Sequence, residues 1–250
     1  MAATQDSAPL GVAVHAARLD YAGMPLFEGL DFAVEPGVWT CVLGPSGVGK
    51  TSLLRLIAGL AAPWNGSRIV CSDGGPLAGR AAYMAQQDLL LPWLTVERNV
   101  GLGPRLRGED RRGARIADLL AMVGLAEKAA ALPATLSGGQ RQRAALARTL
   151  MEDRPIVLMD EPFSALDAVT RHRIQALAAT LLEGRSVLLV THDPLEALRL
   201  GHRVHVMSGR PARLDEPLAP RGAPPRDLTD TGLLRLHGEL LERLAAAGEA

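Results

Sequence analysis

Cysteine, lysine, net charge and long apolar runs are what this sequence lacks. Its two cysteines, Cys41 and Cys71, lie far apart and have no metal-ligand spacing. That excludes a disulfide framework or a cysteine-based zinc site and leaves reduced core residues of a cytosolic protein as the expectation. The formal net charge is +0, so nothing in the charge balance points to nucleic acid. No apolar run approaches the ~18 residues of a membrane span. Residues 1–15 lack a basic start and an apolar core, so no secretory signal is expected. Lys50 and Lys128 are the only lysines, arginine supplies the other cations and alanine is abundant. The skew looks like genome composition, and arginine content carries no functional meaning. With 48% hydrophobic and 22% charged residues, the chain reads as an ordinary globular protein with room for one well-buried domain and a subdomain.

One of the two lysines sits in the most informative stretch. Gly44-Pro45-Ser46-Gly47-Val48-Gly49-Lys50-Thr51 matches G-x-x-x-x-G-K-[ST], and Ser52 follows. A buried-strand pattern, Thr40–Leu43, precedes it, and a helical pattern from Leu53 follows it. That is the context of a phosphate-binding loop. Glycines let the backbone turn its N–H groups inward on phosphate oxygens, and the helix N-terminus adds partial positive charge. Lys50 is expected to reach the β- and γ-phosphates of a nucleotide, and Thr51 to offer its hydroxyl to Mg²⁺.

Strand patterns are expected at 10–14, 30–34, 67–71 and 81–85, with turns at Pro36-Gly37 and Pro63–Gly66. Tyr21 falls in a turn-like run. From 89 to 134 the character changes to helical periodicity. Thr95 is a candidate N-cap, and a helix is expected over 112–123 with Ile116, Leu119, Leu120 and Val123 on one face. Another helix runs from Ser137 to about Met151. Continuous apolar strands return at 156–159 and 187–190, of the parallel type covered on both faces, separated by a helix near 169–182. A proline-rich linker follows Gly209. The stripe Leu233, Leu236, Leu240, Leu241 and Leu244 then reads as a terminal helix packed on its own domain, or against another subunit. The expected organisation is an α/β domain over 10–210 interrupted by a helical insert at about 87–151, then a linker and short helix over 211–250.

Two stretches add chemistry. Ile156–Met159 ends in Asp160 and Glu161, two carboxylates at the ligand edge of a parallel sheet. Asp160 is placed to hold Mg²⁺ beside Thr51, and Glu161 to take or orient the proton of an attacking water. Ser137-Gly138-Gly139-Gln140 opens a helix with free N–H groups and a hydroxyl, which makes a second anion site. One nucleotide seldom needs two complete cradles in one chain.

Leu136–Gln140, followed by Arg141-Gln-Arg143, resembles the signature motif of ATP-binding cassette (ABC) ATPases, and the rest of that family's pattern falls in order. The resemblance implies a P-loop NTPase fold with a RecA-like parallel core, an antiparallel β subdomain and a helical insert. It implies that Tyr21 stacks on adenine, that Gln86 (rather than Gln87) touches Mg²⁺ or the water, that Asp167 lies in a loop crossing to a second subunit, and that His192 contacts the γ-phosphate. It further implies a head-to-tail dimer, each ATP lying between one copy's phosphate loop and the other's Ser137–Gln140.

Residues 86–100 resemble importer ATPases of the nitrate, sulfonate, taurine and pyrimidine-precursor group. Ala85 departs from that group's usual Phe. Trp39–Leu43 and Met84–Asp88 resemble more narrowly those importing hydroxymethylpyrimidine, a thiamine precursor. The implied partners are a membrane permease, met near Trp93, and an extracytoplasmic substrate-binding protein, with the chain at the cytoplasmic face of the membrane. Trp93 as a core anchor of the insert is the competing reading. An exporter ATPase and a soluble non-transport ABC ATPase compete with the importer as a whole.

Overall fold

The computed structural model describes residues 8–21, 23–61, 66–109 and 113–249. Arg112, most of the turn expected at 63–66 and residues 1–7 lie outside them. Two strands, β1 (Val12–Tyr21) and β2 (Met24–Val34), form a hairpin longer than the apolar pattern suggested. Register shifts between Val14 and Asp20, with Ala16 at φ 48°, break the alternation that would have marked the whole of β1. Tyr21 is the last residue of β1 and faces Met24 across the hairpin. β4 (Arg68–Cys71) pairs with β1 to complete an antiparallel three-stranded sheet.

The main sheet has six strands in the order β5-β6-β7-β3-β8-β9. These are β5 (Ala81–Met84), β6 (Ile156–Asp160), β7 (Ser186–Val190), β3 (Trp39–Leu43), β8 (Arg203–Ser208) and β9 (Arg213–Leu214). All neighbours are parallel except β8 and β9. The strands β6, β7 and β3 are buried along their whole length because both sheet faces are covered, and alternate residues enter different cores. Cys41, Val157 and Leu189 belong to one core; Val42, Leu158 and Leu188 belong to the other.

α1 (Lys50–Ile57) covers the second face, its Leu53, Leu54, Leu56 and Ile57 almost wholly buried. Between β5 and β6 the chain is helical: α2 (Val96–Val100), α3 (Leu102–Leu106), α4 (Gly113–Met122) and α5 (Gly138–Met151). Thr95 caps α2 by accepting the Arg98 N–H, and Gly101 ends it after one turn. α6 (Ala168–Leu181), α7 (Pro194–Leu200) and α8 (Thr231–Glu249) complete the first face.

Leu233 and Leu240 of α8 are buried in the domain's own core, with Leu236 and Leu244 packed against it, while Leu241 is exposed. The linker before α8 is pinned by Arg226. Its guanidinium donates to the carbonyls of Leu198, Gly201, Pro220 and Arg221, so it closes the C-terminal end of α7. Among the described residues no helix is long and apolar enough to cross a membrane.

Candidate active site

The C-terminal edge of β6, β7 and β3 gathers the residues that the sequence singles out. The loop between β3 and α1 turns through Gly44 at φ 148°, where a Cβ would lie 2.3 Å from the Met207 carbonyl oxygen, so only glycine fits. Lys50 is buried and its ammonium bridges the carbonyls of Gly44 (2.8 Å) and Pro45 (2.9 Å), folding the side chain back over the loop. Burial holds its pKa below the usual lysine value, against the pull of Glu161 and Asp160. Ser46 and Gly47 stand exposed on the rim, whereas Val48 is buried.

Asp160 ends β6 with 1% of its surface exposed. Burial raises its pKa, opposed by a hydrogen bond with Thr51. Its Oδ2 has no hydrogen-bond partner among the described residues. A buried carboxylate oxygen without a donor, next to a hydroxyl and a lysine, has the chemistry of a site for a hard cation such as Mg²⁺.

Glu161 adopts φ 47°, a left-handed conformation that costs a non-glycine residue about 1–3 kcal/mol. Its backbone is held from both sides. The N–H donates to Val190 O at 2.8 Å, and the carbonyl accepts from Gln142 Nε2 (2.9 Å) and Ser164 Oγ (3.0 Å). The carboxylate lies between two side chains: Gln86 Nε2 donates to Oε2 at 3.1 Å, and His192 Nδ1 is 3.1 Å from Oε1. Gln86 sits just past β5, His192 just past β7 and Glu161 just past β6, so three adjacent strand ends deliver the trio. A cavity of about 20 Å³, the size of one water, opens beside it and is lined by Glu161, Ser164, Thr191 and His192 among others.

Ser137 is the N-cap of α5 and forms a full capping box: Gln140 N donates to Ser137 Oγ at 3.2 Å, and Ser137 N donates to Gln140 Oε1 at 2.8 Å. Gly138 lies exposed at the helix entrance with Gly139 behind it. Among the described residues no hydrogen bond joins 137–140 to the phosphate loop. Asp167 caps α6 by accepting the Thr170 N–H at 3.0 Å. Tyr21 is 75% exposed at the hairpin end. Trp93 is 72% exposed, which rules out its reading as a core anchor. Val96 and Asn99 fill that place, both 0% exposed, with Asn99 fastening the turn that carries Trp93 through bonds to Leu91, Leu94 and Thr95.

Polar residues buried behind the site escaped the motif reading. Gln142 spans two elements, donating to Glu161 and accepting from Ala165 N at 2.7 Å. Thr191 donates a short hydrogen bond to Glu196, and Glu196 also accepts from Gln175 at 3.1 Å. Each reads in sequence as an ordinary polar residue, and its burial follows from the fold.

Burial raises the Glu196 pKa from 4.5 to about 7, with hydrogen bonds from Thr191 and Gln175 opposing it. In that window the folded chain binds the proton more tightly than the unfolded chain, so stability falls as pH rises through it. The loss is absent below 4.5 and complete above about 7. Its full size is about 3 kcal/mol, at ~1.4 kcal/mol for each tenfold change in proton affinity. Glu196→Gln is expected to abolish this component. Urea titrations of both chains at pH 5 and pH 8 check it, and equal pH dependence in the two would contradict it.

Comparison with known proteins places this geometry. Residues 27–164 match the family model of the ABC transporter. An aliphatic sulfonates import ATP-binding protein, SsuB 1 of Rhodococcus jostii (strain RHA1), is 45% identical over 233 residues, covering 92% of this chain and 91% of the relative. SsuB 2 of Burkholderia cenocepacia (strain HI2424) is 41% identical over 96% of this chain and 89% of its own length. Among solved structures, the dimeric cassette MJ0796 in a post-hydrolysis state bound to ADP and Pi is 28% identical, with a TM-score of 0.74 over 84% of this chain and 99% of that one. The α/β core with its phosphate loop and the matched relatives agree: this chain belongs to the ABC transporter family, as one of its ATP-binding, ATP-hydrolysing proteins.

Proposed function

We propose that this chain is the motor subunit of an importer for small organic sulfonates, working as a head-to-tail pair beneath a membrane permease. The observation that carries the catalytic part is the strained Glu161, its carboxylate held between Gln86 and His192. Lys50 and the N–H groups of residues 44–52 bind the ATP phosphates, and Tyr21 stacks on the base. Ser137–Gln140 of the second copy closes over the γ-phosphate, and Asp167 lies at the same seam. Thr51 and Asp160, with Gln86, would hold Mg²⁺. When bound, that ion neutralises phosphate charge. Glu161 takes the proton of the attacking water, Gln86 orients that water, and His192 fixes Glu161 and reaches the γ-phosphate.

ATP binding joins the pair and hydrolysis releases it. The exposed Trp93 turn offers a docking point for the permease, which a substrate-binding protein serves from the other side of the membrane.

The sulfonate reading is supported by the relatives, named as aliphatic sulfonate importers. Those names lend no support to a thiamine precursor. The substrate does not touch this subunit, so the test must use the whole assembly. With the neighbouring permease and binding protein in liposomes, an alkanesulfonate is expected to stimulate ATP hydrolysis several-fold and Trp93→Ala to remove the stimulation. Stimulation by hydroxymethylpyrimidine alone would overturn the substrate, and failure of the chain to co-purify with the neighbouring permease would overturn the importer.

A further inference from the structure

Arg171 joins two loops that both line the cavity beside the candidate catalytic carboxylate. It lies on the first turn of α6, where its backbone N–H donates to Asp167 O at 2.8 Å. Its guanidinium runs in two directions. NH2 donates to Leu166 O at 2.9 Å, in the loop 164–167, and NH1 reaches Asp193 Oδ2 at 3.4 Å, directly after His192. Both ends are stiff. On one side Gln142 clamps Ala165 and Glu161 O. On the other, Asp193 Oδ1 caps α7 through the Leu195 and Glu196 N–H groups, while Asp193 N donates to Thr191 Oγ1 at 3.1 Å and Thr191 is tied to Glu196. Arg171 therefore links loop 164–167 to the turn that carries His192 and Asp193. Asp167 at the end of this loop and Val169 at the start of α6 stand exposed, Val169 by 81%.

We infer that Arg171 is a positioning residue that transmits the seating of the second copy against loop 164–167 to His192, so that each site hydrolyses only once the pair is closed. This rests on the dimer of the proposed function. A bidentate guanidinium suits the task because its planar fork bridges a carbonyl and a carboxylate at a fixed separation, which the single ammonium of lysine does not.

The test is steady-state ATP hydrolysis by the full chain carrying Arg171→Gln, Arg171→Lys, Asp193→Asn or the pair Arg171→Gln/Asp193→Asn. Asparagine still caps α7, so Asp193→Asn removes the charged partner and leaves the helix start intact. Wild type is expected to show a Hill coefficient for ATP above 1. Each single variant is expected to lose about tenfold in kcat with KM within threefold and a Hill coefficient near 1, and the double variant to fall no further than the singles. A merely structural role would lower thermal stability without this split, and Arg171→Lys, which keeps charge and stem, reads out the bridge if Arg171→Gln folds poorly. Wild-type kcat and Hill coefficient in Arg171→Lys and Asp193→Asn, or losses that multiply in the double variant, would overturn the inference. Failure of the underlying dimer reading is separate: Glu161→Gln would then remain single-chain with MgATP.

Discussion

Glu161→Gln is expected to lower ATP hydrolysis by about 10²–10⁴-fold while nucleotide stays bound. The amide is nearly isosteric and can still meet Gln86 and His192, which hold the carboxylate at 3.1 Å on either side. It cannot accept a proton at neutral pH, and proton removal from water is the step assigned to it. Lys50 keeps its hydrogen bonds to the Gly44 and Pro45 carbonyls and its neighbour Asp160 and loses only the Glu161 charge, so ATP affinity should survive and the nucleotide-bound pair should accumulate. Single-turnover hydrolysis and retention of labelled ATP on the isolated chain measure both halves. Hydrolysis at the wild-type rate would remove Glu161 from the mechanism and leave its strained backbone without a catalytic explanation.

Ser137→Asp is expected to be nearly as damaging, for a different reason. Aspartate is as good an N-cap as serine, so α5 keeps its start and the fold keeps its stability. The new carboxylate, however, would face the γ-phosphate of an ATP held by the second copy, and like charges meeting at an interface cost several kcal/mol. At ~1.4 kcal/mol per factor of ten, hydrolysis should fall by about 100-fold or more. Binding of a single nucleotide at Lys50 should remain within a few-fold of wild type, because, among the described residues, 137–140 make no hydrogen bond to that loop in their own chain. Equilibrium dialysis with labelled ATP, alongside turnover, separates the two effects. A parallel collapse of ATP affinity would place Ser137 in its own chain's site instead.

Motif-bearing stretches were readable from sequence because their chemistry is local. Glycine, lysine and hydroxyl at set spacing make the phosphate loop, and Ser137 with Gln140 writes its own helix cap. The strands 39–43, 156–160 and 186–190 were readable for a related reason: burial on both faces gives each a continuous apolar run, with Thr40, Asp160 and Ser186 its few polar positions. What escaped was set by distant partners. β1 runs past its apolar start through bulges that β2 accommodates. β8 pairs with β3, and its alternating Arg203-Val204-His205-Val206 is too short a run to stand out from sequence alone. Gln142, Arg171 and Glu196 are ordinary helical residues until the fold sets them between Glu161, loop 164–167 and the turn at His192. Trp93 carried two readings in sequence, and its exposure was decided by Asn99, whose amide holds the turn and leaves the indole outside.

The central claim is that the phosphate loop of one chain is half of a site which another copy completes. Light scattering of Glu161→Gln, with and without MgATP, tests it most directly when paired with the Ser137→Asp/Glu161→Gln double variant. A shared site requires one chain per particle without nucleotide and two with it. In the double variant it requires one chain under both conditions, with ATP still bound. A Glu161→Gln chain that binds MgATP and remains single, or a double variant that pairs as readily as its parent, would contradict it.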